Sequence, residues 1–330
     1  MSTETPPDAG LTGDGSQRDQ RRNRRVRRLL FGCAAVTVAT TLAIFLVLLD
    51  DTASYFFGAK ISEILLGSGV DRTVTFTEFF TGTRWAPDHS TPAHGILPIV
   101  WGTIAITIGA AFISIPIGTA TAIYLSEYAS PGVRAKLKPT LEILAGVPTI
   151  VYGYFAISFI TPVLVSPVAE ALFGINVGRY SMLSGIIVVG IMTIPMVSSI
   201  SEDAMSAVPD DLRNAAYGLG ATKYDVSTNV VLPASLSGVF ASYILAVSRA
   251  IGETMAVTLA AGFNANLTAN LFSEIMTMTA YMVSMARGTS AVGTVEYQSL
   301  FAVGFVLFVM TLVMNLLNDW FKRSFREEYQ

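Results

Sequence analysis

The chain has 330 residues and a net charge of −3; 52% of its residues are hydrophobic and only 14% are Asp, Glu, Lys or Arg. Soluble domains usually carry about 25% charged residues, so this chain has too few to cover a water-facing surface of its size. The composition therefore argues against a soluble enzyme. The small net charge indicates no nucleic-acid partner. The single cysteine, Cys33, excludes an intramolecular disulfide.

Residues 1–28 are rich in Ser, Thr, Gly, Pro and Asp and end in the basic run Arg21–Arg28. This composition predicts a disordered basic tail. An apolar run follows over 29–49 and stops at Asp50 and Asp51. At 1.5 Å per residue it can cross the roughly 30 Å of a bilayer core. It has no small-residue cleavage site, so we predict a retained first transmembrane helix, with a signal anchor as the alternative.

Further apolar stretches pass the same length test. We therefore predict an all-α membrane protein with six transmembrane helices. The spans after the first are predicted at 99–124, 140–165, 182–204, 236–262 and 300–320.

The distribution of Lys and Arg indicates the orientation, because cytoplasmic loops are enriched in both. With six spans the two termini lie on one side, and that side carries 15 of the 21 basic residues, including those of the tail 321–330. We therefore predict that the N- and C-termini are cytoplasmic. The extracytoplasmic segments 50–98 and 263–299 are long and polar enough to fold against an external partner. One basic residue, Arg249, is left inside a span.

The predicted cytoplasmic segment 207–234 has helix signals of its own. Pro209 suits the first turn of a helix, and the carboxylates of Asp210 and Asp211 suit the positive end of its dipole. Gly220 can take the left-handed conformation that ends a helix, and a second helix can begin near Thr222. These signals fit equally well a hairpin that only joins two spans.

The same segment resembles the conserved loop of ABC importer permeases. The pattern of that loop is EAA, a glycine four residues after the second alanine, and a distal LP. The resemblance implies a short coupling helix that docks into a cleft of a separate ATPase subunit. Asn214 stands where the family has Glu, which removes a charge from the docking surface. The other positions of the pattern are Ala215, Ala216, Gly220, Leu232 and Pro233.

Three more motifs resemble phosphate-importer permeases of the PstC type: SRAIGETMAVT (248–258), GVPTIVYGY (146–154) and TIPMVSSISEDAM (193–205). The partner permease, of the PstA type, typically continues GET as GETAPL, whereas Met-Ala-Val follows here. The resemblance covers residues 95–320. It implies a type I ABC importer permease (MetI-like) fold with a permease core of five transmembrane helices over 99–320, in the plasma membrane of a prokaryote.

The resemblance implies half of the translocation path of an ATP-driven phosphate importer. The implied partners are a second related permease, a dimer of an ATPase subunit that binds ATP and Mg²⁺, and an extracytoplasmic phosphate-binding protein. This chain would then be no enzyme and carry no cofactor or metal of its own. The close alternatives are the PstA-type partner permease and a permease for another oxyanion, such as molybdate or sulfate.

Two other classes compete with this interpretation. A stand-alone secondary carrier or channel would work when expressed alone, and the docking loop argues against it. A membrane enzyme is disfavoured because the sequence has no G-x-x-x-x-G-K-[ST] nucleotide loop and no serine elbow.

Two charges stand inside the predicted fifth span. Arg249 and Glu253 would each cost about 2.5–3.5 kcal/mol at mid-membrane, and their spacing predicts one helix face on which they reach each other. A guanidinium offers parallel donors to an oxyanion, and Glu253 would keep the anion from binding too tightly. We therefore predict a substrate path lined by Arg249, Glu253 and Thr254. A purely structural ion pair is the alternative.

Other residues within or beside the spans carry weaker signals. Gly146, Pro148 and Pro195 are predicted to break helices beside the path, although they serve close helix packing equally well. Glu202 and Asp203 lie near the cytoplasmic end of a span and are predicted to be solvated.

Overall fold

The computed structural model describes residues 14–59, 61, 74–288 and 294–324. By its internal packing the chain divides into two units, Met1–Asp50 and Asp51–Gln330. Regular structure in the described ranges is helical apart from one short hairpin.

The hairpin pairs β1 (Trp85–Ala86) with β2 (Ala93–His94) in antiparallel register, Trp85 opposite His94. The helices are α1 Asp14–Phe57, α2 Phe76–Thr81, α3 Leu97–Ile123, α4 Pro131–Ala145, α5 Thr149–Phe155, α6 Ser166–Phe173, α7 Met182–Ser206, α8 Asp210–Gly218, α9 Lys223–Val226, α10 Leu232–Ala234, α11 Leu236–Ile251, α12 Met255–Ala261, α13 Met278–Arg287 and α14 Val295–Ser324. Three π-helical stretches follow α3, α5 and α9, over Tyr124–Tyr128, Ala156–Val165 and Ser227–Val231.

Five helical segments of the described chain are long and apolar enough to cross a membrane: Arg22–Phe57, Leu97–Tyr128, Thr149–Phe173, Met182–Ser206 and Val295–Trp320. A sixth is reached if the pair Lys223–Ala234 and Leu236–Ile251, bent by 72°, counts as one span. The predicted all-α membrane protein is therefore confirmed. The cytoplasmic placement of both termini stays a prediction.

The first helix begins earlier than the sequence predicts. Helix α1 starts at Asp14, so the part of the basic tail over 14–28 is helical rather than disordered. Arg is a good helix former, and a helix nucleated in the apolar run extends readily into an Arg-rich segment. Residues 1–13 of the predicted tail lie outside the described residues. Apolar side chains of α1 such as Leu30 and Phe31 are exposed, as lipid-facing side chains are.

The predicted third span, 140–165, has the wrong boundaries. Residues 140–145 belong to α4, which ends at Ala145, and the membrane-length segment begins at Thr149. The physical cause is Pro148, which lacks an N–H group and disfavours a helical conformation at the residue before it. The hydrophobic run is continuous across a break in the backbone, so hydropathy alone does not reveal the two helices.

Helices α3 and α7 pack along each other at the centre of the second unit. Gly118 permits the approach, because a Cβ atom there would lie 2.7 Å from the Cβ of Val197. Buried side chains from α3, α7 and α12, among them Ile106, Val188 and Ala260, form one core cluster. This cluster positions the broken helix pair α11 and α12 against α3 and α7.

A second cluster organises the predicted extracytoplasmic segments 50–98 and 263–299. The Tyr55 hydroxyl lies 2.8 Å from Nδ1 of His94, and burial lowers the pKa of that imidazole. Phe79, Trp85 and Tyr281 pack in the same cluster. These segments therefore fold on one another; residues 60, 62–73 and 289–293 of them lie outside the described residues.

We predict that Gly102→Ala in α3 destabilises the protein by about 1–3 kcal/mol, because the added Cβ would overlap the Met276 carbonyl oxygen. Thermal unfolding of the purified protein in detergent measures the effect. Gly132→Ala in α4 is the control, since a Cβ there meets nothing within 4 Å. Equal midpoints for the two variants would contradict the close approach at Gly102.

Candidate coupling helix and substrate path

The segment predicted to dock an ATPase forms two helices at the predicted places. Pro209 precedes α8, Asp210 and Asp211 occupy its first turn, and Gly220 follows it in the left-handed conformation at φ +85°. Thr222 then caps α9 in a reciprocal capping box with Asp225. Each boundary is set by a local signal, as the sequence predicts.

Helix α8 presents an uncovered surface. Asn214 and Ala215 are exposed, as is Tyr217, and Leu219 at its end keeps 90% of its surface exposed. Ala216 turns the other way and packs against a buried cluster that includes Met205 and Val226. One face of α8 is thus seated on the bundle, and the other has apolar and small residues available to a partner.

The distal Leu-Pro pair lies at a bend in the chain. Leu232 packs against the same buried cluster, and Pro233 lies in the short helix α10. The 72° bend falls between Ala234 and Leu236, so Ser235 is the bent residue, two positions after the proline. Pro233 therefore helps to redirect the chain from the coupling segment into α11.

Arg213 connects α8 to two other elements. Its Nη2 donates to the carbonyl of Met205, in the last turn of α7, at 2.8 Å. Its Nη1 donates to the carbonyl of Val208, just past the end of α7, at 2.5 Å. Its Nε and Nη2 also donate to Oε1 of Glu127, at 3.3 and 3.1 Å, in the π-helical turn that extends α3. A cation at a helix C-terminus, bonded to its last carbonyls, is favourable.

Glu202 lies at the centre of a second charged cluster and is not solvated as predicted. Its side chain has 0% exposure. Arg134 donates to its Oε1, Lys138 donates to its Oε2 at 2.7 Å, and Ser206 donates to Oε1 at 2.9 Å. The prediction of a solvated carboxylate holds for Asp203, whose side chain is 62% exposed and accepts a hydrogen bond from Lys138.

The two basic residues of this cluster come from α4. Hydrogen bonds to Asp203 and Glu202 raise the pKa of the Lys138 amine above its usual range, so that it stays protonated at neutral pH. The sequence offered these residues and Arg213 only as positive charges in predicted cytoplasmic loops. Glu202 lies 68 residues from Arg134 and 64 from Lys138, and Glu127 lies 86 from Arg213, so no local signal identifies these ion pairs.

The predicted fifth span breaks at its pair of charges. Helix α11 ends at Ile251 and α12 begins at Met255, with Gly252–Thr254 between them. Arg249 and Glu253 therefore do not share a helix face, and the structure records no ion pair between them. Instead, Oε1 of Glu253 accepts from the N–H of Ala256 at 3.1 Å. The carboxylate caps the new helix, so the predicted pairing is wrong.

This break leaves Arg249 half-buried at the end of α11. Within the described part of the chain its side chain makes no hydrogen bond and no ion pair. Thr254 is half-buried at the start of α12, and its Oγ1 donates to the Gly252 carbonyl at 3.2 Å. A guanidinium in this position is able to bind an anion that enters the bundle.

Two of the three residues predicted to break helices do so, and the third does not. Gly146 and Pro148 do separate α4 from α5. Pro195 breaks nothing: α7 continues through it from Met182 to Ser206, and the proline is buried. Neighbouring helices can support a backbone that lacks one hydrogen bond.

A cavity of 860 Å³ opens between the hairpin and the segment 263–296. Polar side chains line much of it, including Arg84, Asp88, Asn264 and Glu296. In the described ranges no group of three or more His, Cys, Asp or Glu side chains is placed to hold a metal ion.

The chain belongs to the family of binding-protein-dependent transport system inner membrane components, which matches residues 114–327. It is therefore a multi-pass inner-membrane permease subunit of the ABC importer class.

Individual relatives narrow the comparison. The chain is 33% identical over 293 residues to a protein of Bacillus subtilis named Probable ABC transporter permease protein YqgH, covering 89% of this chain and 88% of that one. It is 31% identical over 307 residues to the phosphate transport system permease protein PstC of Mesorhizobium japonicum, covering 89% and 90%. The predicted similarity to PstC-type permeases is confirmed.

Solved structures share the fold at low sequence identity. A chain of a bacterial ABC transporter involved in the import of the acidic polysaccharide alginate matches with a TM-score of 0.63 and 12% identity, over 95% of this chain and all of that one. A chain of the MetNI methionine ABC transporter matches with a TM-score of 0.53 and 15% identity, over 70% and 96%. The predicted MetI-like importer fold is confirmed.

We predict that Glu202→Gln destabilises the subunit by about 1.5–3 kcal/mol, because it removes the charged acceptor that Arg134 and Lys138 share. Asp203→Asn is the matched control, and we expect it to cost about 0–1 kcal/mol because Asp203 is largely exposed. Thermal unfolding in detergent, followed by intrinsic fluorescence, compares the two. If Asp203→Asn lowers the unfolding midpoint as much as Glu202→Gln does, Glu202 is not the central acceptor of this charged cluster.

Proposed function

We propose that this chain is the PstC-type permease subunit of an ATP-driven phosphate importer and forms half of its translocation path. The observation that carries the transport role is α8, seated on the bundle by Arg213 and Ala216 while Leu219 and Tyr217 remain uncovered. A helix held on one face and uncovered on the other is suited to transmit a movement from a partner. The substrate is supported by the relatives that are named phosphate transport permeases.

The uncovered face of α8 is the proposed contact with an ATPase subunit. ATP and Mg²⁺ would bind to a dimer of that subunit, which would place ATP hydrolysis outside this chain. The Asn214 side chain makes no hydrogen bond to the described residues and the residue is exposed, so its amide is available to the partner. Its amide would supply a neutral polar contact where the resembling loops carry a Glu.

An extracytoplasmic phosphate-binding protein is the proposed partner at the opposite end. The cavity of 860 Å³ beside the hairpin is lined by Arg84, Asn264 and Glu296, and polar groups of both charges suit a transient protein contact. A second, related permease would complete the path.

Arg249 is the proposed anion-binding residue of that path. Its guanidinium has no anionic partner in the described part of the chain, and at neutral pH phosphate carries one to two negative charges. Thr254 lies just past the break and adds a hydroxyl. Glu253 caps α12, so its proposed contribution is to hold the break open rather than to neutralise Arg249.

We expect Arg249→Gln to reduce phosphate uptake about 10- to 100-fold, the equivalent of losing charged hydrogen bonds worth about 1.5–3 kcal/mol. The measurement uses the complete complex in liposomes, with uptake and ATP hydrolysis recorded separately. Arg179→Gln is the control: Arg179 is an exposed arginine between α6 and α7, and its removal should leave uptake unchanged.

The same liposomes test the substrate. Phosphate-loaded binding protein should stimulate ATP hydrolysis, while molybdate and sulfate should not. Normal phosphate uptake by an assembled Arg249→Gln complex would contradict the proposed anion-binding role of Arg249. If molybdate or sulfate stimulates ATP hydrolysis and phosphate does not, phosphate is not the substrate.

A further inference from the structure

Arg213 has an unusual set of partners for a residue on a docking helix. Of the α8 side chains, it alone bonds to another helical element among the described residues. Its partners outside α8 are Glu127 beyond α3 and the Met205 and Val208 carbonyls at the end of α7, and within α8 it also donates to the exposed Asp210. One side chain thus joins α8 to the end of the preceding helix α7 and to the turn beyond α3, 86 residues away.

We propose that Arg213 is a positioning residue that makes α8 move as one body with the ends of α3 and α7. The proposal rests on the proposed function, because it concerns how a movement of the coupling helix reaches the spans. Apolar seating through Ala216 allows sliding, whereas directional hydrogen bonds to fixed carbonyls do not. The guanidinium would therefore convert a pull on α8 into a displacement of both helix ends.

Burial makes this connection durable. The Glu127 side chain is 5% exposed and that of Arg213 is 14% exposed. Salt screens a shielded pair much less than an exposed one. Separating the pair would leave a buried, unpaired charge, which costs far more than breaking a surface ion pair. Ser126 also donates to Oε1 of Glu127 at 2.9 Å and keeps that acceptor in place.

The chemistry requires an arginine. The planar guanidinium donates from Nε and Nη2 to one carboxylate oxygen while Nη1 reaches a carbonyl on the other side. A lysine ammonium is a compact point charge that cannot reproduce this fork. Glu202 then extends the body from α7 to α4 through Arg134 and Lys138.

The functional test uses the complete complex with Arg213→Gln, Arg213→Lys and Glu127→Gln. We expect each complex to assemble, since the exposed face of α8 is unchanged, and to hydrolyse ATP. Transport per ATP should fall about tenfold in Arg213→Gln and Glu127→Gln, within the usual range of coupling between sites, and less in Arg213→Lys. Lys136→Gln is the control: Lys136 is exposed on α4 and makes no side-chain bond to described residues.

A distance measurement reads the mechanical link directly. Cys33 is replaced by Ser, and spin labels are attached to Ser130→Cys and Gly218→Cys, two exposed sites; a Cβ at Gly218 meets nothing within 4 Å. With Arg213 present, we expect one distance that is the same without nucleotide and with a trapped ATP analogue. With Arg213→Gln, the distance should broaden or change with nucleotide.

The outcomes separate the two proposals. A constant distance in Arg213→Gln, or normal transport per ATP in that variant, overturns the role of Arg213. If the unmodified complex transports no phosphate, the proposed function fails, while the distance comparison still decides whether Arg213 binds α8 to the bundle. If Arg213→Gln does not assemble, Arg213→Lys takes its place: a distance that broadens or changes with nucleotide supports the role of Arg213, and a constant distance overturns it.

Discussion

A carboxylate removed from water must be surrounded by donors, and this requirement shapes the end of the bundle where α3, α4, α7 and α8 meet. Glu202 and Glu127 are both buried there, and each is bonded to arginine. Because an unpaired buried charge is so costly, the basic residues cannot leave without disrupting the packing. The two clusters therefore hold four elements in a defined arrangement and give α8 a rigid seat while its outer face stays uncovered.

The broken fifth span applies the same rule to backbone groups. Interrupting a helix inside the bundle frees N–H and C=O groups that need partners. Glu253 accepts from the Ala256 N–H, and Thr279 donates to the Glu253 carbonyl at 2.7 Å. The Glu253 carboxylate is therefore bonded to the backbone of α12 and does not pair with Arg249. Arg249 consequently remains without an anionic partner among the described residues.

The coupling segment was predictable from sequence because its boundaries are set locally, by Pro209, Gly220 and the capping box at Thr222. The ends of the third span were not, because hydropathy is insensitive to a backbone break such as that at Pro148. Pro195 shows the reverse: a helix-breaking residue is tolerated where α3 and other neighbours support α7. The pairs Arg134–Glu202 and Arg213–Glu127 were invisible in the sequence because 68 and 86 residues separate their members.

The sequence by itself determined the membrane class, the approximate place of the apolar helices, and the helix–glycine–helix form of the segment 207–234. These depend on hydrophobic run length and on contacts between residues a few positions apart. Tertiary structure alone decided which charges meet. Glu253 caps a helix instead of pairing with Arg249, and Glu202 is buried instead of solvated. Electrostatic and hydrogen-bonding energies depend on distance in space, and only folding brings residues of distant helices within bonding range.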